Sequence, residues 1–190
     1  MDAPTLKSLS LARLPNVLNL SVGGDKIQNI AYRLIGDPDK DPKRHLHGYV
    51  PVLAQLNTAK LWVVQAGTNN LQGRKGLVER DVDAMGTLLR SLLLIAGGSR
   101  VLVTGLFPRS DIGREVVDKA NRSFEQLVKD INEEGEGEGK ERVVFLAATK
   151  EVWDIPHFVD HVHLSLEGYR IWMRELFPKA VEVLKGVDGG

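Results

Sequence analysis

LWVVQAGTNNLQGRKGLVERDVDAMGTLLRSLLLIAGGSRVLVTGLF, Leu61–Phe107, is the stretch whose reading decides the fold. It opens and closes on short apolar runs, Leu61 to Ala66 and Arg100 to Phe107, each rich in Val and Leu and each stopped by Gly or Pro. Runs of this length and composition predict strands buried on both faces. Between them Val78, Val82, Met85, Leu89 and Leu92 are spaced by four, three, four and three residues, which puts them on one face of a helix. Two strands that are apolar throughout, joined by a helix with one apolar stripe, predict a parallel sheet covered by helices.

Working outward, Arg142 to Leu146 and Asn16 to Val22 read as two further strands, for a total of four. Val117, Ala120, Phe124, Leu127 and Ile131 form a second helical stripe, and Lys26 to Leu34 is helix-like. The last helix is expected to start after Ser165, whose hydroxyl suits an N-cap, with Tyr169, Trp172, Leu176 and Val183 on one face. The expected class is α/β, a three-layer α/β/α sandwich spanning residues 1–190 as one domain. Two stretches read as loops: Gly36 to His47 is rich in Pro and charge, and Glu133 to Glu141 is acidic and glycine-interleaved.

Composition narrows the function classes. Lys+Arg and Asp+Glu both total 25, so the formal net charge is zero and no electrostatic footprint for nucleic acid or a membrane surface is present. A neutral small substrate or a protein partner fits better. The chain has no cysteine, which excludes disulfides, thiolate metal sites and cysteine nucleophiles, and points to an intracellular, cytoplasmic setting. Met1 to Leu14 lacks the apolar core of a secretory signal, and no run is long enough to span a bilayer.

In parallel α/β sheets ligands bind beyond the carboxyl ends of the strands, so the residues just after each strand carry the interest. After the first comes Ser21-Val22-Gly23-Gly24-Asp25, where glycine lets a backbone N–H face a negatively charged oxygen; any parallel α/β turn could want the same glycines. The turn matches neither the dinucleotide G-x-G-x-x-G nor a Walker A loop. After the second comes Gln65-Ala66-Gly67-Thr68-Asn69-Asn70, whose carboxamides could stabilise an oxyanion or merely form Asx turns. Asp160-His161-Val162-His163 precedes the last helix. An Asp three residues before a His can fold onto Nδ1–H and leave Nε2 free as a general base, making Asp160 and His163 the candidate pair. The rivals are a metal site of His161 and His163 with His157 or Asp154, and plain solvated loop histidines.

Together the three clusters resemble the SGNH/GDSL hydrolase superfamily over nearly the whole chain. Asn19 to Asp25 is similar to that family's second block, Gly67-Thr68-Asn69-Asn70 to its third, and Asp160 to His163 to its fifth. The resemblance implies Gly24 N–H and Asn69 as oxyanion-hole donors, Asp160 and His163 as the catalytic pair, and no metal or other cofactor. Val17 to Leu34, Leu61 to Leu71 and VLVTGLFPR (Val101–Arg109) look more narrowly like the catalytic subunit of platelet-activating-factor acetylhydrolase and its fungal relatives. That subgroup implies a flavodoxin-like sheet, intracellular residence, a homodimer, and hydrolysis of a small acyl ester.

One block departs from the pattern. The family's nucleophile sits in a Gly-Asp-Ser block ahead of the second block, and no such triplet occurs in these 190 residues. Ser8 and Ser10 lie in a stretch that reads as the helix after a nucleophile turn, and Ser21 stands where the family tolerates a small residue. Ordinary acyl-enzyme turnover is therefore expected to be lost or weak, and a non-catalytic binding or scaffold role on the same fold is the alternative. An in-frame extension upstream of Met1 encoding the block would restore the enzyme. Four strands are read here where the family resembled has five, and the absent one belongs in the middle of the sheet, so its loss would leave unpaired backbone groups at about 1–3 kcal/mol each. Pairing of the flanking strands, recruitment of Leu6 to Leu14, or a strand from a second copy would repair the gap.

Overall fold

The computed structural model describes residues 17–36, 48, 59–135, 141–149, 151–152 and 158–188. Three parallel strands, β1 (Leu61–Val64), β2 (Arg100–Thr104) and β3 (Val143–Leu146), lie in the order β1-β2-β3. Leu61 pairs with Arg100, and Val101 pairs with Val143. The helices are α1 (Ile27–Ile35), α2 (Glu79–Ile95), α3 (Arg114–Glu134) and α4 (Leu166–Asp188).

Alternation along the strands sorts the helices into two layers. Val64, Val101, Val103 and Val143 face one way into a core with Ile27 and Leu34 of α1, Met85, Leu88 and Leu89 of α2, and Val117, Phe124 and Val128 of α3. Leu102 faces the other way, against Ala180 and Val183 of α4, with Leu61, Val144 and Leu146 beside it. The sheet is therefore sandwiched, as the continuous apolar runs require. A third cluster, Val152, Leu164 and Trp172, lies at the carboxyl end of β3, and Phe107 meets Trp172 edge-on at 5.2 Å.

The helices begin where local chemistry lets them. Ser165 Oγ accepts the Gly168 N–H at 3.1 Å, the N-cap bond expected of it. At α1 the roles are reversed, and Asn29 Oδ1 accepts the Lys26 N–H at 3.0 Å. On α3 Val128 is buried, whereas Leu127 is only half-buried, so the stripe is slightly rotated from the sequence reading. Tyr169, assigned to the buried face of α4, is 45% exposed.

The strand predicted over Asn16 to Val22 does not form. Residues 17–22 are irregular, with Val17 and Leu18 exposed, although Leu20 still packs against the main core. A strand exists only as part of a ladder, and among the described residues β1 is bordered by β2 alone. The four strands expected are three among the described residues. Direct pairing of the flanking strands is not how the sheet closes, and Leu6 to Leu14 lies outside the described residues. The predicted strands also overran at their ends: β1 stops at Val64 and β2 at Thr104, and although the Gly105 N–H still reaches Leu146 O at 2.8 Å, Gln65–Ala66 and Leu106–Phe107 belong to the turns that carry polar chemistry.

Candidate active site

Four segments meet beyond the carboxyl ends of the strands, and polar bonds join them in series. Gly23 and Gly24 make a tight turn, with the Asp25 N–H reaching Val22 O at 3.4 Å. Gly24 has φ +81°, and a Cβ built there would meet nothing within 4 Å, so the backbone is open on that side to an approaching group. Arg33 pins the turn: its Nε donates to Asp25 Oδ2 at 3.0 Å, its Nη2 to the same oxygen, and its Nη1 to Leu20 O at 3.0 Å.

Asn69 sits in the short 3₁₀ turn Thr68–Asn70 after β1. Its Nδ2 donates to Asp25 O at 3.0 Å, which ties this turn to the residue after Gly24 and occupies one of the carboxamide's two N–H bonds. The turn begins at Gly67, φ +114°, where a Cβ would lie 3.0 Å from the Phe124 ring. Arg109, beyond β2, links this turn onward by donating from Nη1 to Thr68 O at 2.7 Å, while Nε and Nη2 hold Asp111 at 2.9 and 2.6 Å. Hydrogen bonding from Arg109 is the main cause that keeps the Asp111 carboxyl below its usual range. Asn121 of α3 replaces the lost ladder here: the Leu106 N–H donates to its Oδ1 at 2.7 Å, and its Nδ2 donates to Leu106 O at 3.1 Å.

The last link is the Ser110 N–H, which donates to His161 O at 3.1 Å. The histidine segment is a small antiparallel turn, with Phe158 bridged to Leu164 and the Val159 N–H donating to His163 O at 2.9 Å. Asp160 Oδ1 accepts the Val162 and His163 N–H groups at 2.8 and 2.7 Å, and its Oδ2 lies 2.7 Å from His163 Nδ1. A carboxylate only accepts, so Nδ1 carries the proton and Nε2 is the free acceptor. The backbone N–H of His163, followed by its ring N–H, drives the Asp160 carboxyl far below the usual carboxylate range. Leu164, 3% exposed, anchors the segment in the cluster with Trp172, while the His163 side chain stays 66% exposed.

Asn69 is thus bonded to Asp25, the residue after Gly24, Asp160 and His163 are bonded, and Arg109 and Ser110 connect the two pairs along one edge of the sheet. Asp154 and His157, offered as metal ligands, lie outside the described residues, as do Ser8 and Ser10. Ser21 is exposed, and its hydroxyl donates to Asn19 Oδ1 at 2.6 Å. A cavity of about 350 Å³ lies elsewhere, between α3 and the end of β3, with Arg114, Asp118, Arg122 and Ala148 in its lining. Sequence reading missed Arg109, whose charge resembles any surface arginine until its carbonyl partner is known. It also missed Asn70, which is 2% exposed and was grouped with Asn69 as a turn residue.

Helices on both faces of a parallel sheet, with the polar segments along its carboxyl edge, make this an α/β protein with the fold of SGNH-type hydrolases. The chain is similar to a Streptococcus pneumonia protein named for platelet activating factor, at 13% identity and a TM-score of 0.66, covering 93% of this chain and 78% of that one. It is similar to an acetyl esterase solved as a mutant with an acetate ion, at 14% identity and a TM-score of 0.65, covering 96% and 88%. A Talaromyces cellulolyticus carbohydrate esterase of family 3 is likewise similar, at 14% identity and a TM-score of 0.64, covering 95% and 87%. No family model and no curated relative matches the sequence. Among the described residues no helix is long and apolar enough to cross a membrane.

Proposed function

We propose that the chain is an SGNH-type ester hydrolase scaffold for short acyl esters, with His163 as general base, Asp160 as its orienter, and Gly24 N–H and Asn69 as oxyanion donors. The observation that carries this reading is the 2.7 Å contact between His163 Nδ1 and Asp160, which leaves Nε2 free on the same sheet edge as Asn69. The fold shared with esterases supports it.

In a relative with the Gly-Asp-Ser block, a serine would attack the acyl carbon and His163 would take its proton. For these 190 residues, which hold no such triplet, the proposed nucleophile is water. Nε2 removes a proton as the water oxygen bonds to the acyl carbon, and the oxyanion is met by Gly24 N–H and the second N–H of Asn69. Collapse then expels the alkoxide, which takes the proton back from the imidazolium. Such a route is slow, because the covalent step that splits the reaction in two is lost. Cytoplasmic residence, homodimerisation and the acetylhydrolase subgroup complete the proposal.

Hydrolysis of p-nitrophenyl acetate by the purified chain tests it, with His163→Ala and a fluorophosphonate probe alongside. Slow turnover that falls about 100-fold in His163→Ala, with no covalent label, is expected. Equal rates in the two proteins would overturn the base assignment, and a labelled serine with fast turnover would overturn the water route. Absence of any hydrolysis above buffer would favour the binding or scaffold reading. Stoichiometric zinc in elemental analysis would displace the Asp–His assignment.

A further inference from the structure

Behind the exposed donors lies a buried polar cluster that the proposed chemistry does not use. Asn70, 2% exposed, accepts the Ile27 N–H on Oδ1 at 3.0 Å and donates from Nδ2 to Gln28 Oε1 at 2.9 Å and Asp81 Oδ1 at 2.8 Å. Gln28 Nε2 donates to the same Asp81 oxygen at 2.7 Å, and Asp81 Oδ2 accepts the Val78 N–H at 3.1 Å. Asp81 is 4% exposed and stands in the first turn of α2. Burial pushes its carboxyl up, but the bonds from Gln28, Val78 and Asn70 outweigh this and leave it below the usual range.

We infer that Asp81 is a positioning residue for the oxyanion hole, acting through Asn70 and Gln28. The inference rests on the function proposed above. Capping α2 uses only one of its oxygens; the other reaches across to residues next to both donors. Ile27 and Gln28 begin α1, directly after the Gly24–Lys26 turn, and Asn70 follows Asn69. The cluster therefore ties the two donor-bearing segments to one fixed carboxylate, and Asn69 Nδ2 closes the loop on Asp25 O. A buried carboxylate is a costly way to fill core space, and a well-packed apolar residue there would serve stability as well. What an apolar residue lacks is direction. A doubly accepting oxygen orients both carboxamides, and with them the Oδ1 that holds α1.

Asp81→Asn keeps the volume but leaves one oxygen for three N–H donors: turned toward Gln28 and Asn70 it sets an N–H₂ against the Val78 N–H, and turned toward Val78 it sets an N–H₂ against both carboxamides, so in either case a donor must turn away. Asn70→Asp combined with Asp81→Asn exchanges the donor and acceptor, and the cluster re-forms when the Gln28 carboxamide turns over, its Nε2 donating to the new carboxylate and its Oε1 accepting from the new amide. Three proteins and the His163→Ala control are compared by kcat and KM on p-nitrophenyl acetate, and by hydrogen–deuterium exchange. In Asp81→Asn, kcat is expected to fall about tenfold at unchanged KM. Amides of residues 20–28 should exchange about tenfold faster while those of β2 and β3 keep their rates. The double variant should restore both. Exchange in 20–28 equal to that of the unaltered protein, or a rise spread evenly over the whole chain, overturns the inference. If His163→Ala matches the unaltered protein in rate, the ester-hydrolase reading fails, while the exchange arm still decides whether Asp81 positions the two segments.

Discussion

Asp160 does two jobs that one carboxylate can hold together: it closes the turn through two backbone N–H groups and orients the His163 ring with its other oxygen. Asp160→Asn can keep the first job but presents an amide that no longer selects one imidazole tautomer. It is expected to lower any hydrolysis of p-nitrophenyl acetate on the order of tenfold to 100-fold without shifting the thermal unfolding midpoint by more than about 2 °C. Asn69→Ala should lower kcat by about 100-fold with little change in KM, since its free N–H meets charge that develops only during reaction. Gly67 belongs to a different category. Its φ of +114° and the Phe124 ring 3.0 Å from a built Cβ oppose any side chain, so Gly67→Ala should destabilise the protein by about 1–3 kcal/mol in urea unfolding. Gly24 and Asn69 could be put forward as donors from the sequence because the family resemblance is carried by short blocks. Asn70 and Asp81 could not, because nothing in the order of residues says that Asp81 faces the core instead of water.

Helix α4 carries Pro178 in its interior, on the exposed side. Proline removes one N–H and crowds the carbonyl four residues earlier, yet the helix continues to Asp188 because Trp172, Ala180 and Val183 remain buried. Pro178→Ala should therefore stabilise the protein, by about 1–3 kcal/mol in a urea titration, and an unchanged midpoint would mean that the helix is already relaxed around the ring. In α3 the reverse holds. Phe124 is fully buried and supports both the sheet and the Gly67 turn, so Phe124→Ala should cost about 3–5 kcal/mol by the same measurement. The helical stripes were readable in advance, because burial of one helix face imposes a fixed period. Asn16 to Val22 was misread for the opposite reason: a strand-like pattern reports apolar demand, while a strand also needs a neighbour to bond to.

Several carboxyls across the molecule are held below their ordinary range: Asp81 by the bonds that outweigh its burial, Asp111 chiefly by Arg109, Glu134 chiefly by Arg90, and Asp160 chiefly by the His163 backbone N–H. A carboxyl with a lower pKa folded than unfolded contributes stability that is present above the unfolded value, about 4, and is lost as pH falls through the folded value. Stability should thus decline progressively below about pH 4. Asp81→Asn, measured by urea unfolding from pH 6 to pH 3, should show a shallower decline than the unaltered protein. A decline of equal slope would show that Asp81 titrates alike folded and unfolded.

The order of residues alone determined the class of fold, because continuous apolar runs of strand length and stripes of helical period admit few arrangements other than a covered parallel sheet. It also determined the Asp160–His163 pair, whose bond spans three positions. Only the tertiary structure decided that residues 17–22 stay out of the sheet, that Arg109 joins two loops, and that Asp81 lies behind the donor segments. Each of those depends on groups far apart in the chain reaching bonding distance, and hydrogen bonds of 3 Å between such groups follow from packing, which local sequence does not specify.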